Sequence, residues 1–138
     1  MNTPIMLAFV ALAGWGIASF LTKVAGANQA YGPSYVIVSA LATCLLGVII
    51  HFLQKHSFEL SPKMSGIAMI GGVSAGIAFY AILLAFRLGG QGSVIFPIGG
   101  LSIIVPVFLS FIVFREPITG PRVLGLALGI SSIVVLSR

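Results

Sequence analysis

Long apolar runs alternate with short polar breaks along the whole chain, and they divide it into five segments. The first runs over roughly 4–23 and gives way to GANQAYGPS; the second runs over roughly 34–53 and ends at QKHSFELSPK, the longest connection. The third covers about 64–87, the fourth follows GGQG and covers about 93–114, and the fifth covers about 120–136. A helix needs about 20 mostly apolar residues to cross about 30 Å of hydrocarbon, so each run is read as a membrane-spanning helix. The pattern predicts an all-α integral membrane protein with five transmembrane helices in a single domain over 1–138. An odd count puts the two termini on opposite faces. The N-terminal run carries no Lys or Arg before Lys23 and is longer than the apolar part of a signal peptide, so it is read as a retained first helix.

Polar residues inside the runs recur at helical spacing. In the first helix Trp15, Ser19 and Lys23 follow each other every four residues and share a face. Tyr35, Ser39 and Thr43 do the same in the second, and the line continues through Gly47 and His51. The third adds Tyr80 and, two turns on, Arg87. A polar face on a membrane helix turns from lipid toward other helices or a cavity, which makes Trp15, Ser19, Lys23, Tyr35, Ser39 and Tyr80 candidates to line a path. The competing reading is plain packing: Ser and Thr bond their own helix, aromatics pack, and Lys23, His51 and Arg87 anchor at the interface.

Small residues supply a second pattern. Gly72 and Gly76 in the third run, with Ala68 one turn earlier, and Gly125 and Gly129 in the fifth form GxxxG faces, whose ordinary use is close helix contact. In the fourth run Pro97 and Pro106 each remove a backbone donor and free the carbonyls of Ser93 and Ser102, with Gly99 and Gly100 between them. Freed carbonyls in hydrocarbon need partners, so this helix is expected to face protein or a wet cavity, as a structural kink or a gate.

Composition and charge narrow the class. Hydrophobic residues make up 59% of the chain and charged ones 7%, against about 25% in soluble domains. Mean hydropathy is +1.19. The net charge of +5 never gathers into a basic patch, because each cation closes an apolar run, so a nucleic-acid partner is set aside. Arg115 and Glu116 interrupt an otherwise uncharged stretch at FREPITG, the tight turn joining the last two helices, and Arg122 follows two residues on. Glu116 there pairs with Arg115 or Arg122 or sits near the positive end of the fifth helix, while Arg122 snorkels from a short span. Lys55, Lys63, Arg115 and Arg122 belong to the N-terminal face and Lys23, Arg87 and Arg138 to the other, four against three. That bias is weak under the positive-inside rule; a partly buried Lys23 would tilt it toward an N-in orientation, and insertion both ways stays open. The lone Cys44 excludes an intrachain disulfide and is read as a packing residue. No metal-ligand cluster, phosphate loop or mid-span carboxylate is present, and neither a metal, a cofactor nor an enzymatic site is expected.

The order of these features resembles the EamA domain, the repeat unit of the drug/metabolite transporter superfamily. From Tyr80 onward YAILLAFRLGGQGSVIFPIGGLSIIVPVFLSFIVFREPITGPRVLGLALGISSIVVLSR is similar to the end of that domain: an Ala-rich third helix, a span with a mid-helix proline, a glutamate after it and a Gly-rich last helix. GWGIASFLTKVA resembles its first helix. The resemblance implies a small-molecule membrane transporter, an exporter by family type, in a bacterial cytoplasmic membrane. It also places Glu116 on the family's glutamate after span four. Family members usually join two inverted repeats, and inverted repeats hold their substrate at the interface near the midplane. A single repeat would draw its second half from another chain, in an antiparallel homodimer or a heterodimer with a related chain. A flippase for a lipid-linked sugar, or a non-transporting subunit packed on a larger partner, are the alternatives.

Overall fold

A computed structural model describes residues 3–115 and 119–136, without the side chain of Arg122. Its helices are α1 (Thr3–Ala27), α2 (Gly32–Gln54), α3 (Pro62–Arg87), α4 (Gly92–Gly100), α5 (Ile104–Phe114) and α6 (Gly120–Leu136), with a 3-10 turn at Leu101–Ile103 between α4 and α5. Among the described residues all regular structure is helical. By length and apolar composition α1, α2, α3 and the Gly92–Phe114 stretch can each cross a bilayer. Helix α6, at 17 residues, stands at the lower end of the range of about 17–25 that can span. Five apolar helical segments are thus present, four of full length and one short.

The ends follow local chemistry. Helix α2 starts with Pro33 at a position whose N–H would have no partner, and it stops at Lys55 in the left-handed conformation, φ 52°. At the start of α3, Ser61 Oγ accepts from Met64 N at 3.3 Å, with Pro62 just inside. Two boundaries depart from the sequence expectation. Helix α1 continues past Lys23 to Ala27, leaving only Asn28–Tyr31 between it and α2. Gly26, read above as part of a turn, is a packed helical residue. The fourth span is not one helix: the Leu101 amide is shared between the carbonyls of Pro97 and Ile98, and the coil tightens there into a 3-10 turn. The break falls just after Gly99 and Gly100, between the prolines rather than at either one.

The chain forms two compact units, Met1–Gly89 and Gly90–Arg138. In the first, α3 packs against both α1 and α2. Its buried residues, Thr22, Gly26, Gly32, Leu83 and Phe86, all lie at the end where α1 turns into α2 and α3 finishes. A methyl at Gly26 would stand 2.5 Å from Phe86 Cβ and 3.1 Å from the Leu83 carbonyl oxygen; one at Gly32 would stand 2.6 Å from the Tyr80 ring. Both helix ends therefore reach α3 only because they lack a Cβ. Toward the other end of the unit no described residue of 3–21 or 33–82 is buried. In the second unit α4 packs on α6, and a methyl at Gly100 would lie 3.5 Å from Ile133 Cδ1.

The GxxxG glycines are placed differently from these. At Gly72, Gly76, Gly125 and Gly129 an added methyl meets nothing among the described residues within 4 Å. The close helix contact of α1 falls instead at Thr22 and Gly26, one turn apart.

Phe86 Cβ cannot move without its backbone, whereas the Tyr80 ring can swing. Gly26→Ala should therefore destabilise the protein by about 1–3 kcal/mol or more, Gly32→Ala by less, and Gly72→Ala not at all. Denaturation in detergent micelles checks the order; Gly26→Ala unfolding like Gly72→Ala would contradict it.

Candidate functional site

The predicted lining residues Trp15, Ser19, Lys23, Tyr35, Ser39 and Tyr80 all belong to the first unit. Three of them meet another helix. Trp15 of α1 stacks on Phe79 of α3, with ring centroids 5.9 Å apart and planes 14° from parallel. Tyr80 of α3 lies over Gly32 of α2. The Tyr35 hydroxyl of α2 is 3.1 Å from Thr22 Oγ1 of α1. Thr22 Oγ1 is also 2.9 Å from the Ala18 carbonyl and donates its one proton there, so Tyr35 is the donor in the contact between helices. The outcome is a chain from the Tyr35 O–H to Thr22 to the Ala18 carbonyl, sheltered by a threonine that is 1% exposed. Chains of this kind are polarised and strengthened in a low dielectric.

Ser19 and Lys23 are half-buried on α1, and Lys23 lies one turn before the tightly packed Gly26. Ser39 is turned to its own helix: its Oγ donates to the Val36 carbonyl at 2.9 Å, and Thr43 Oγ1 donates to the Ser39 carbonyl at 2.9 Å. The lower half of the second stripe thus spends its protons locally. His51 sits at the far end of α2, edge-on to Phe58 at 5.7 Å.

In the second unit Pro97 lies inside α4 and Pro106 inside α5, on either side of the 3-10 turn. Arg115 ends α5 in the left-handed conformation, φ 51°. Glu116 lies outside the described residues, as does the side chain of Arg122, so the expected pairing of Glu116 falls there too.

Thr22, Phe79, Gly26 and Gly32 do not appear among the residues expected from sequence. The signal for Thr22 and Gly26 was the four-residue spacing from Ala18, a small-residue stripe beside the polar one. Phe79 carries no distinguishing signal, because one Phe among ten in an apolar chain points to no partner.

Spanning-length apolar helices, with polar groups gathered where helices touch, define a multi-pass integral membrane protein. The chain belongs to the EamA-like transporter family, whose pattern matches residues 2–138, one repeat of the drug/metabolite transporter superfamily. Uncharacterized protein MJ1333.1 of Methanocaldococcus jannaschii is 27% identical over 139 residues, covering 99% of this chain and 98% of that protein. No solved structure matches the chain.

If the Tyr35–Thr22 contact couples α1 to α2, a double-mutant cycle with Tyr35→Phe and Thr22→Val should give about 0.5–1.5 kcal/mol of interaction energy in micelles. A coupling near zero would mean the two groups only happen to be adjacent.

Proposed function

We propose that this protein moves a small molecule across a bacterial cytoplasmic membrane by alternating access, as an exporter built from two single-repeat chains. The observation that carries the reading is the family match over residues 2–138, which spans one repeat where the usual transporter has two. The similar Methanocaldococcus jannaschii protein is also of single-repeat length, since 139 aligned residues make up 98% of it. Trp15, Ser19, Lys23, Tyr35, Ser39 and Tyr80 line the path, with Lys23 as its only charge. Trp15, Tyr35 and Tyr80 also hold the helices, so their replacement affects folding and transport together. Lys23 and Ser19 make no side-chain hydrogen bond among the described residues.

Alternating access needs a cavity closed first on one side and then on the other, and an inverted second half supplies the complementary wall. The near-even split of Lys and Arg between the two faces lets the same chain insert in both orientations, giving an antiparallel homodimer; a related chain in the opposite orientation would do the same. The 3-10 turn between Pro97 and Pro106 gives the fourth span a place to bend, and these two prolines act as its gate.

Lys23→Met should leave expression near normal and lower transport by about tenfold or more, the size of a lost hydrogen bond to a charged group. Transport assays in a strain deleted for the protein read this, and unchanged transport would reduce Lys23 to an anchor. Orientation is tested separately. Two lysines added at either end should force one topology; each forced variant should fail alone, and the opposite pair should recover transport when co-expressed. Full transport by one strictly oriented variant would exclude the antiparallel pair.

A further inference from the structure

The end of the first unit where α1, α2 and α3 meet holds a shielded donor without an acceptor. Arg87 closes α3 there. Its Nε is shielded from solvent and has no hydrogen-bond partner among the described residues. Its backbone is held close to α1: a methyl added at Gly26 would stand 3.4 Å from Arg87 N, and Gln29, itself left-handed at φ 57°, donates from Nε2 to the Arg87 carbonyl at 3.1 Å. The neighbouring carbonyls each accept a hydrogen bond from elsewhere. Leu84 O accepts from Leu88 N and Phe86 O from Gly89 N; on α1, Val24 O accepts from Asn28 twice, Ala25 O from Ala30 N and Gly26 O from Gln29 N. Lys23, half-buried one turn before Gly26, adds a second cation on the adjoining helix and has no ion-pair partner among the described residues. The unit's only acid, Glu59, lies in the α2–α3 connection at the opposite end and accepts from Ser57 Oγ at 2.8 Å.

A snorkelling arginine keeps its guanidinium in water or on headgroups; one with a dry, unmatched Nε–H is costly unless an acceptor comes from outside the chain. The donor edge of a guanidinium matches a planar or tetrahedral oxyanion with two parallel bonds, and an ammonium close by adds charge without demanding geometry. We propose that Arg87 and Lys23 form a binding site for a phosphate-type oxyanion, carried either on a soluble molecule or on a lipid headgroup. Because Lys23 also belongs to the proposed path, the site names a substrate class for that reading and rests on it in this respect. Its test is binding, which is measured whether or not the protein transports.

Two probes separate the sources. Inorganic phosphate is titrated by calorimetry onto the full-length protein in uncharged detergent micelles. Retention of phosphatidylglycerol is measured by native mass spectrometry after reconstitution in equal parts phosphatidylglycerol and phosphatidylcholine. Binding of phosphate identifies a soluble oxyanion and selective retention of phosphatidylglycerol a headgroup; either supports the site. In the arm that binds, Arg87→Gln and Lys23→Gln should each weaken binding by about tenfold or more. Arg87→Lys, which keeps the charge and the fold but removes the Nε–H, should lie between these and the unaltered protein. Lys55→Gln and Lys63→Gln, at the other end of the unit, should change nothing. The proposal is overturned by no binding in either arm, by equal loss in the Lys55 and Lys63 variants, or by Arg87→Lys binding as well as arginine.

Discussion

Two glycines hold the first three helices together. Lipid tails are as apolar as leucine, so helices in a bilayer gain little from burying apolar surface against each other and depend on close contact for association. Gly26 and Gly32 allow that contact at the two sides of one short connection, against Leu83, Phe86 and Tyr80 of α3. The other features of this end depend on that approach. Thr22 comes within reach of Tyr35 because α1 and α2 are both drawn onto α3. Trp15 stacks on Phe79 two turns before Thr22 along the same face of α1. Arg87, whose Nε is shielded from solvent, ends α3 at this same clamped end, with Gln29 bonded to its carbonyl.

Polar groups in this chain follow the rule that hydrocarbon offers no partner. Several hydroxyls bond the carbonyl three or four residues earlier in the chain, as Ser39, Thr43, Ser65 and Ser74 do. Tyr35 and Gln29 are different: Tyr35 bonds from α2 to α1, and Gln29 from the α1–α2 connection to the end of α3. Both do so at the clamped end. Packing and polar chemistry are therefore concentrated in the same place, while the opposite halves of α1, α2 and α3 are exposed and mostly apolar.

The sequence made the helices legible because length and hydropathy alone decide them in a membrane. Their ends were less so. The stretch GANQAYGPS looks like a loop by its glycines and proline, yet Gly26 is helical, because the value of a glycine at a close contact cannot be told from its value in a turn. The GxxxG faces illustrate the same limit: Gly72, Gly76, Gly125 and Gly129 have the right spacing, but spacing does not say which helix comes near. Thr22 and Gly26 carry the contact with equal spacing and fewer glycines. Of the candidate lining residues, Trp15, Tyr35 and Tyr80 meet neighbouring helices, while Ser39 bonds its own; periodicity assigns a face and cannot choose between these fates. The 3-10 turn in the fourth span was foreshadowed by its prolines and glycines, though not its position between them.

The buried contacts of α1, α2 and α3 lie at the end where Gly26 and Gly32 meet α3, so that end is expected to be the more rigid. Pulsed electron paramagnetic resonance in bilayers tests this directly, with Cys44 replaced by serine and label pairs placed at exposed sites of α3 and of α1 or the residue just after it. Labels at Asn28 and Leu88 report the clamped end, and labels at Leu7 and Ile67 the other. Clamping predicts a narrow distance distribution for the first pair and a broad or multimodal one for the second. A first pair as broad as the second would contradict it.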